Sequence, residues 1–231
     1  MAGIVAPFQG TAARTIVRIM VGVAVGLVPL AANGPSSQTR LGTPPPQTGS
    51  VVVVEASSKN RNVLLEQFVS QGCNMCPASD EVLIKLVKGS PKVVPAAFHV
   101  DYFNRPWRDP YSSAEYSKRQ LAYHETFKGP RDPELGLYFT PMFMIDGRQP
   151  ANGRDLSGAR AALQRALRRP PGVRLAVRGE FQAEGCELTL RLSGLGNEAQ
   201  AGPLLLAAIL VDEARRTLVE HGENAGKTLD E

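Results

Sequence analysis

Two cysteines separated by two residues are the part of this 231-residue chain whose types and spacing point to chemistry. They stand in the segment Cys73-Asn74-Met75-Cys76, which Pro77 follows directly. Two thiols at this spacing can close a small disulfide ring, or they can serve as ligands of a soft metal ion. The elements on either side of the pair must decide between these chemistries.

The flanking sequence favours redox chemistry. Residues 63–69 form an apolar run typical of a buried strand, and residues 81–88 have the pattern of a helix. A strand, a C-x-x-C pair and a helix in this order are typical of a thioredoxin-like redox site. A thiolate near the N-terminus of a helix is stabilised, because free backbone N–H groups and the helix dipole face it.

This arrangement assigns different roles to the two cysteines. Cys73 lies at the mouth of the loop, so we expect it to be the attacking nucleophile. Cys76 lies in the first helical turn, where Pro77 is also suited because no N–H is needed there. We therefore expect Cys76 to be the more buried thiol and to resolve the mixed disulfide that Cys73 forms.

The dipeptide Thr140-Pro141 is a second candidate for the site. It stands at the start of a predicted strand, residues 142–145, and thioredoxin-like folds place a cis proline facing the disulfide at this point. Only about 5–6% of X–Pro bonds in folded proteins are cis. The position relative to Cys73, and the strand, hairpin and helix signals that follow, favour the cis form here.

Glu66 is a third candidate, as a carboxylate in the middle of an apolar strand. A charge there is costly unless it is paired or protonated. Thioredoxin-like enzymes often carry a proton-accepting acid on this strand, six residues before the first cysteine. Glu66 stands seven residues before Cys73, and Gln67 holds the sixth position. The favoured interpretation is therefore a glutamate that pairs with an arginine or reaches solvent, and a proton relay is the alternative.

His99 and Asp101 are candidates for substrate binding. Both lie at the end of a predicted strand, residues 93–100, where a spacing of two places side chains on one face. The carboxyl ends of strands are where α/β folds build sites. A hydrogen-bonded structural pair is an equal alternative. His99 also leaves open a copper or zinc site with Cys73 and Cys76, although zinc prefers four ligands and a second C-x-x-C is absent.

The remaining motifs exclude several functions. Cys186, on an apolar strand face, is expected to be a buried and inert thiol. The sequence contains no Walker loop, dinucleotide fingerprint or serine-histidine-acid arrangement, so we expect no cofactor. With a net charge of +4 and scattered basic residues, nucleic acid is not an expected partner. The expected partner is a protein or small molecule that carries a thiol or a disulfide.

Residues 51–170 alternate strand and helix signals in the order β-α-β-α-β-β-α, which predicts an α/β, thioredoxin-like domain. Its later elements are predicted helices at 112–127 and 155–169 and a hairpin turn at 146–147. Pro95 predicts an irregular start for the strand at 93–100. Residues 171–231 read as a β-rich C-terminal extension, with strands at 173–181, 186–193 and 204–211.

The first 50 residues predict export. Residues 1–32 combine Arg14 and Arg18 with a 14-residue apolar run and contain no acidic residue, as in a secretory signal peptide. The run is short of the roughly 20 residues that a spanning helix needs, so no membrane span is expected after cleavage. Residues 33–50 predict a flexible linker. The expected location is the periplasm or the exterior, where disulfides persist.

Several segments resemble one family of secreted bacterial proteins, filed as domain of unknown function 1223. Residues 65–80 (LEQFVSQGCNMCPASD) resemble its strand-and-cysteine segment. The other similar segments are residues 98–102 (FHVDY), 107–113 (WRDPYSS), 119–123 (RQLAY), 138–141 (YFTP) and 222–229 (GENAGKTL). The resemblance implies export and a thioredoxin-like fold but no substrate. Asn74-Met75 departs from the family, in which small residues such as Ser-Ser are usual between the cysteines.

These observations predict a thiol–disulfide oxidoreductase that uses Cys73 and Cys76. The alternative is an envelope binding module that holds copper, zinc or a protein partner without turnover. A cysteine pair that only forms a stabilising disulfide is a third interpretation. The motif does not decide the direction of exchange, because oxidants, reductants and isomerases differ in redox potential and partner.

Overall fold

A computed structural model describes residues 7–8, 17–24, 52–57, 61–127, 138–171, 174–182, 185–194, 205–211 and 216–230. The predicted linker, residues 33–50, lies outside this part of the chain. The predicted signal segment is described only in two short strands.

The elements follow one another in an order that alternates strands and helices in the middle of the chain. They are β1 (Pro7–Phe8), β2 (Val17–Ala24), β3 (Val52–Ser57), β4 (Val63–Val69), α1 (Cys76–Val87), β5 (Val93–His99), α2 (Ala114–Phe127), β6 (Met142–Ile145), β7 (Gln149–Asn152), α3 (Leu156–Leu167), β8 (Arg174–Gln182), β9 (Gly185–Ser193), β10 (Leu205–Val211), β11 (Arg216–Leu218) and β12 (Thr228–Asp230).

A four-stranded mixed sheet forms the centre of the fold, in the order β5-β4-β6-β7. Strands β4 and β5 are parallel, whereas β6 runs antiparallel to β4 and β7 antiparallel to β6. With the three helices of the described residues, this makes the protein a mixed α/β fold, as expected. Pro95 lies within β5, which starts regularly, because an edge strand tolerates a residue without an N–H.

Both faces of this sheet are covered, and β4 is buried along its whole length. Leu65 faces α1 and α3, whose residues Val82 and Leu163 belong to the same buried cluster. Phe68 faces the other side and packs in a second cluster, against which Tyr116 of α2 is placed. All seven residues of β4 are buried, so alternate residues of this strand point to opposite cores.

The C-terminal strands are attached to earlier parts of the chain. Strand β8 pairs with β9 on one side and with β3 on the other, so residues 52–57 join the C-terminal strands and not the central sheet. Strand β10 pairs with β2, and β11 pairs with β12. Among the described residues, none of the helices has the length and apolar character needed to cross a membrane.

Candidate functional site

The two cysteines lie where β4 passes into α1. Residues 70–75, which we call the cysteine loop, are closed by backbone hydrogen bonds from the Cys73 N–H to the Ser70 carbonyl (3.1 Å) and from the Cys76 N–H to the Cys73 carbonyl (3.2 Å). Cys76 is the first residue of α1, as predicted, and Pro77 lies in the first turn. Both cysteines are free thiols. The loop thus places Cys73 next to the N-terminus of α1.

Both cysteines are buried, with 1% of Cys73 and 3% of Cys76 exposed. Their exposed fractions are so similar that they do not separate the expected attacking thiol from the expected resolving thiol. Cys73 packs with Val69 and Cys76, and Phe103 from a distant loop contacts this cluster. A substrate can reach the Cys73 sulfur only if neighbouring side chains move aside.

The two thiols differ strongly in acidity. A hydrogen bond from the Cys76 thiol lowers the pKa of Cys73 to about 6; burial opposes this shift, while Thr140 and the backbone of Met75 and Cys76 support it. The pKa of Cys76 is raised, first by its hydrogen bond to Cys73 and then by burial. The geometry therefore makes Cys73 the thiolate and Cys76 the protonated partner near neutral pH.

We expect this difference to appear in the rate of alkylation by iodoacetamide. Because only the thiolate reacts, the rate at Cys73 should rise through pH 6 and level off above about pH 7, while Cys76 stays protonated. The same protein in denaturant should show thiols with pKa values of about 8.5. Mass spectrometry of the alkylated peptides identifies the residue. A folded protein whose Cys73 titrates near 8.5 would contradict the assigned polarity.

The second predicted element, Thr140-Pro141, faces the cysteine loop. The peptide bond between the two residues is cis. The Cys73 sulfur lies 3.9 Å from the carbonyl oxygen of Thr140. Thr140 and Pro141 are thus brought to Cys73 by β6, 67 residues further along the chain.

Gly153 allows this loop to approach α1 closely. Its N–H donates to the Pro141 carbonyl at 2.9 Å. A Cβ atom at position 153 would lie 2.6 Å from Ser79 Oγ, 2.7 Å from Pro141 Cβ and 2.9 Å from the Pro141 carbonyl oxygen. Any side chain larger than hydrogen would push the proline loop away from the cysteines.

Aromatic side chains lie beside the site. The rings of Tyr102 and Tyr138 are 4.7 Å apart, and both residues are exposed. Only the hydroxyl end of Tyr102 is shielded from water, where it donates to Gln120 Oε1 at 3.0 Å. This desolvation raises the pKa of Tyr102, and Tyr138 and the two cysteines raise it further. Tyr102 therefore lies close enough to the thiols to interact with their charge. Met75, within the cysteine loop, is also exposed.

Glu66 is not directed toward the cysteines. It is fully buried on the side of the sheet that α2 covers, where Arg119 Nε donates to its carboxylate at 2.6 Å and the Tyr123 hydroxyl donates at 2.6 Å. The observed contact is the arginine pairing that the sequence favours, and the alternative of a proton relay is wrong. The reason is the alternation of the strand, which turns Gln67 toward α1 and Glu66 away from it.

Gln67 makes the contacts with the start of α1 instead. Its amide nitrogen donates to Ser79 Oγ at 3.0 Å and to Asp80 Oδ1 at 2.8 Å. Asp80 is close enough to Cys76 to raise its pKa as a minor contribution. Sequence reasoning missed Asp80, although its position four residues after Cys76 on a helix is a signal that could have found it.

His99 and Asp101 do not form one site. Strand β5 ends at His99, so the spacing rule does not extend to Asp101. Asp101 bonds to Ser117 of α2 through its N–H and its carboxylate. His99 Nδ1 lies 2.8 Å from Asp109 Oδ2, and the same oxygen accepts the Gln71 N–H at 2.8 Å. His99 therefore pairs with Asp109 and not with Asp101. Asp109 in turn holds the cysteine loop through the Gln71 N–H.

The contacts of Asp109 lower its pKa, despite the opposing effect of burial. The hydrogen bond and charge of His99 act together with the N–H groups of Gln71 and Tyr111. Among the described residues, no group of three or more His, Cys, Asp and Glu side chains is arranged to hold a metal ion. Cys186 lies in β9, but its side chain is outside the described part of the structure.

The site is completed from the C-terminal end of the chain. Residues 219–227, which we call the C-terminal turn, lie against the cysteine loop. The Asn224 amide nitrogen donates to the carbonyl oxygens of Gln71 at 2.9 Å and Cys73 at 2.8 Å. The Asn74 N–H donates to Glu223 Oε2 at 3.0 Å. The sequence offered these residues only as a family-like motif, with no indication that they reach the cysteines.

The protein is thus a mixed α/β protein in which a polarised cysteine pair faces a cis-proline loop. The family described as Protein of unknown function (DUF1223) matches residues 64–231, and the chain belongs to it. This match covers every described residue of the site. No curated protein matches the chain.

A crystal structure of a protein from Agrobacterium tumefaciens, solved as a structural genomics target, is 30% identical to this chain. The match covers 57% of this chain and 56% of that protein, with a TM-score of 0.43. The chain therefore matches little more than half the length of that protein.

Proposed function

We propose that this protein is an exported thiol–disulfide oxidoreductase with a thioredoxin-like fold. The observation that carries the proposal is the geometry of the cysteine pair, in which Cys73 lies 3.9 Å from the Thr140 carbonyl oxygen of a cis Thr140-Pro141 bond and Cys76 begins α1. The lowered pKa of Cys73 and the raised pKa of Cys76 agree with this arrangement. Exchange chemistry needs one thiolate to attack and a second thiol to resolve.

The topology supports the fold assignment. The sheet order β5-β4-β6-β7, in which only β6 runs opposite to the other three strands and helices cover both faces, is the order expected for a thioredoxin-like domain. The cysteine pair stands between the first strand and first helix of this unit, and the cis proline precedes its third strand. Both positions are those that the sequence pattern predicts.

The reaction proceeds in two balanced steps. The Cys73 thiolate attacks one sulfur of a substrate disulfide, forms a mixed disulfide, and releases the other sulfur as a thiolate that takes a proton from solvent. Cys76 then loses its proton to solvent, attacks Cys73 Sγ and releases the second substrate thiolate, which takes up a proton in turn. The substrate gains two electrons, and the protein keeps a Cys73–Cys76 disulfide. Each step is reversible, so the same residues can also oxidise a dithiol.

Substrate access depends on the side chains beside the pair. Because Cys73 is only 1% exposed, Phe103 and its neighbours must move before a disulfide can reach the sulfur. Met75, Tyr102 and Tyr138 expose apolar surface at this point, which suits contact with a polypeptide or with an apolar thiol. The expected substrate class is therefore a protein or small-molecule thiol or disulfide.

No observation favours the metal-binding alternative, because the described residues contain no group of three or more His, Cys, Asp and Glu side chains arranged to hold a metal ion. A binding module for a protein partner remains the competing function, because the exposed aromatic surface suits it equally. Export is proposed from the residue pattern of positions 1–32 and agrees with redox chemistry, since thiol pairs cycle to disulfides in oxidising compartments.

The test is the reduction potential of the pair, measured by thiol trapping of the purified protein across ratios of reduced to oxidised glutathione. We expect a reversible two-electron couple between roughly −270 and −120 mV, the range of exchange enzymes. A couple below roughly −300 mV together with an unreactive Cys73 would identify a structural disulfide and contradict the proposal.

A further inference from the structure

The C-terminal turn is joined to the cysteine loop by a buried side chain. Asn224 is fully buried, and 151 residues separate it from Cys73 in the sequence. Its single amide nitrogen has two hydrogens, and both are used, at 2.9 Å to the Gln71 carbonyl and at 2.8 Å to the Cys73 carbonyl. These two carbonyls flank Gly72, so one side chain ties the backbone on both sides of that glycine.

Asn224 is itself held in place. Its amide oxygen accepts a hydrogen bond from Lys227 Nζ at 2.9 Å. The turn is closed by backbone bonds from the Val219 N–H to the Lys227 carbonyl and from the Gly226 N–H to the Val219 carbonyl. These contacts within the C-terminal turn fix the orientation of the Asn224 amide independently of the cysteine loop. Gly222, whose φ is +87°, supplies a conformation that other residues rarely adopt.

We propose that Asn224 is a positioning residue of the cysteine site, because its amide fixes the backbone on both sides of Gly72 and so the direction of the Cys73 side chain. Its effect on exchange rests on the function proposed above. Its effect on the chemistry of the Cys73 thiol does not, because that depends only on the contacts within the folded protein.

The physical reason lies in the bonds that stabilise the thiolate. Hydrogen bonds from Cys76, Thr140 and the backbone of Met75 lower the pKa of Cys73 and require its sulfur to point toward them. A cysteine loop that has lost its ties to Asn224 samples other directions, so these bonds form for less of the time. The pKa of Cys73 then rises toward its ordinary value, and Cys76 meets the mixed disulfide less often.

We expect Glu223 to act on the pKa of Cys73 in the opposite direction to Asn224. Its carboxylate accepts the Asn74 N–H at 3.0 Å, which places a negative charge next to the loop that carries the thiolate. Removing that charge should favour the thiolate, whereas loosening Asn224 should disfavour it. The other ionisable groups around the loop are Cys76, Asp80, His99, Tyr102 and Asp109.

The experiment measures the pH profile of Cys73 alkylation by iodoacetamide in the full chain, with Cys186→Ser in every protein so that one background is compared. We expect Asn224→Ala to raise the pKa of Cys73 by about one unit, which lowers the alkylation rate about tenfold at pH 5. Lys227→Met, at an exposed residue, should produce a smaller shift in the same direction. Glu223→Gln should lower the pKa.

Glu220→Gln is the matched control, because it removes an equal charge from an exposed residue of the same turn and should leave the profile unchanged. If Asn224→Ala does not fold, the inference is judged on the pH profile of Cys73 alkylation in Lys227→Met. Folded Asn224→Ala and Lys227→Met proteins that both keep the wild-type profile would overturn the inference, even where wild-type exchange is active. A shifted profile in a protein that exchanges no disulfide would support the inference and count against the proposed function.

Discussion

Replacement Cys73→Ser is expected to lower the rate of insulin disulfide reduction by roughly a thousandfold or more, since loss of an attacking nucleophile has effects of at least this size. A serine hydroxyl has far too high a pKa to supply the anion that the thiol of Cys73 gives at about pH 6. The measurement is the turbidity of insulin reduced by the protein in the presence of dithiothreitol.

Cys76→Ser should give a different result, because the first step survives. Cys73 can still attack, but no second thiol releases the product, so a mixed disulfide accumulates. Intact-mass spectrometry should show the protein heavier by the mass of one substrate thiol, and reduction should remove the addition. The pKa of Cys73 should also rise, since the Cys76 thiol is the largest contributor to its low value.

Cys186→Ser is the matched control for both replacements. It makes the same change in a third cysteine, which lies in β9 and outside the cysteine loop. Exchange by this variant should equal that of the wild type. Equal loss in the Cys186 and Cys73 variants would show that the measured activity does not depend on the C-x-x-C pair, and the proposed function would then be wrong.

Gly153→Ala is expected to have the largest effect of any replacement outside the cysteines. The added methyl would lie 2.6 Å from Ser79 Oγ and 2.9 Å from the Pro141 carbonyl oxygen. Ser79 cannot move freely because Gln67 bonds to it, and the carbonyl belongs to the backbone. Overpacking of this kind costs about 1–3 kcal/mol of stability. We expect the proline loop to move away from Cys73 and exchange to fall by up to about a hundredfold, since displacements of about 1 Å have such effects.

Two measurements separate the loss of geometry from the loss of stability. Urea unfolding gives the free energy of unfolding, and insulin reduction gives the exchange rate. Gly89→Ala is the control, because Gly89 has a φ of +75° with nothing near its absent Cβ, so alanine there should cost about 1 kcal/mol through backbone strain alone. Exchange by Gly89→Ala should be unchanged. Normal exchange by a folded Gly153→Ala protein would contradict the packing that places the proline loop beside the pair.

Local sequence patterns were sufficient to predict the strands and helices of the central sheet. The apolar run of β4 predicted a strand with the observed bounds, because such a run can be buried only between two covered faces. Asp155, predicted as the start of a helix, is the N-cap of α3, where its side chain accepts the Gly158 N–H. The apolar pattern indicated α1 only from residue 81, while the first turn at Cys76 was expected from the cysteine motif; the capping residue there, Met75, makes no side-chain cap bond.

The roles of single polar residues were harder to predict. Glu66 and Gln67 are neighbours on one strand, and a shift of one residue exchanges the face toward which a side chain points. Spacing alone therefore left open a proton relay for Glu66, whereas the structure directs Glu66 to Arg119 and Gln67 to α1. The partner of His99 was also missed, since Asp109 lies in a loop whose path no periodicity describes.

The sequence by itself determined the strands of the central sheet, its helices, their order and the two cysteines, because these depend on residue type and on contacts between near neighbours. Only the tertiary structure decided what surrounds the cysteines. Thr140 reaches Cys73 across 67 positions and Asn224 across 151, and hydrogen bonds at such separations leave no periodic trace in the chain. They form because the folded sheet and the C-terminal turn bring these groups within bonding distance, where a buried amide or carbonyl must find a partner.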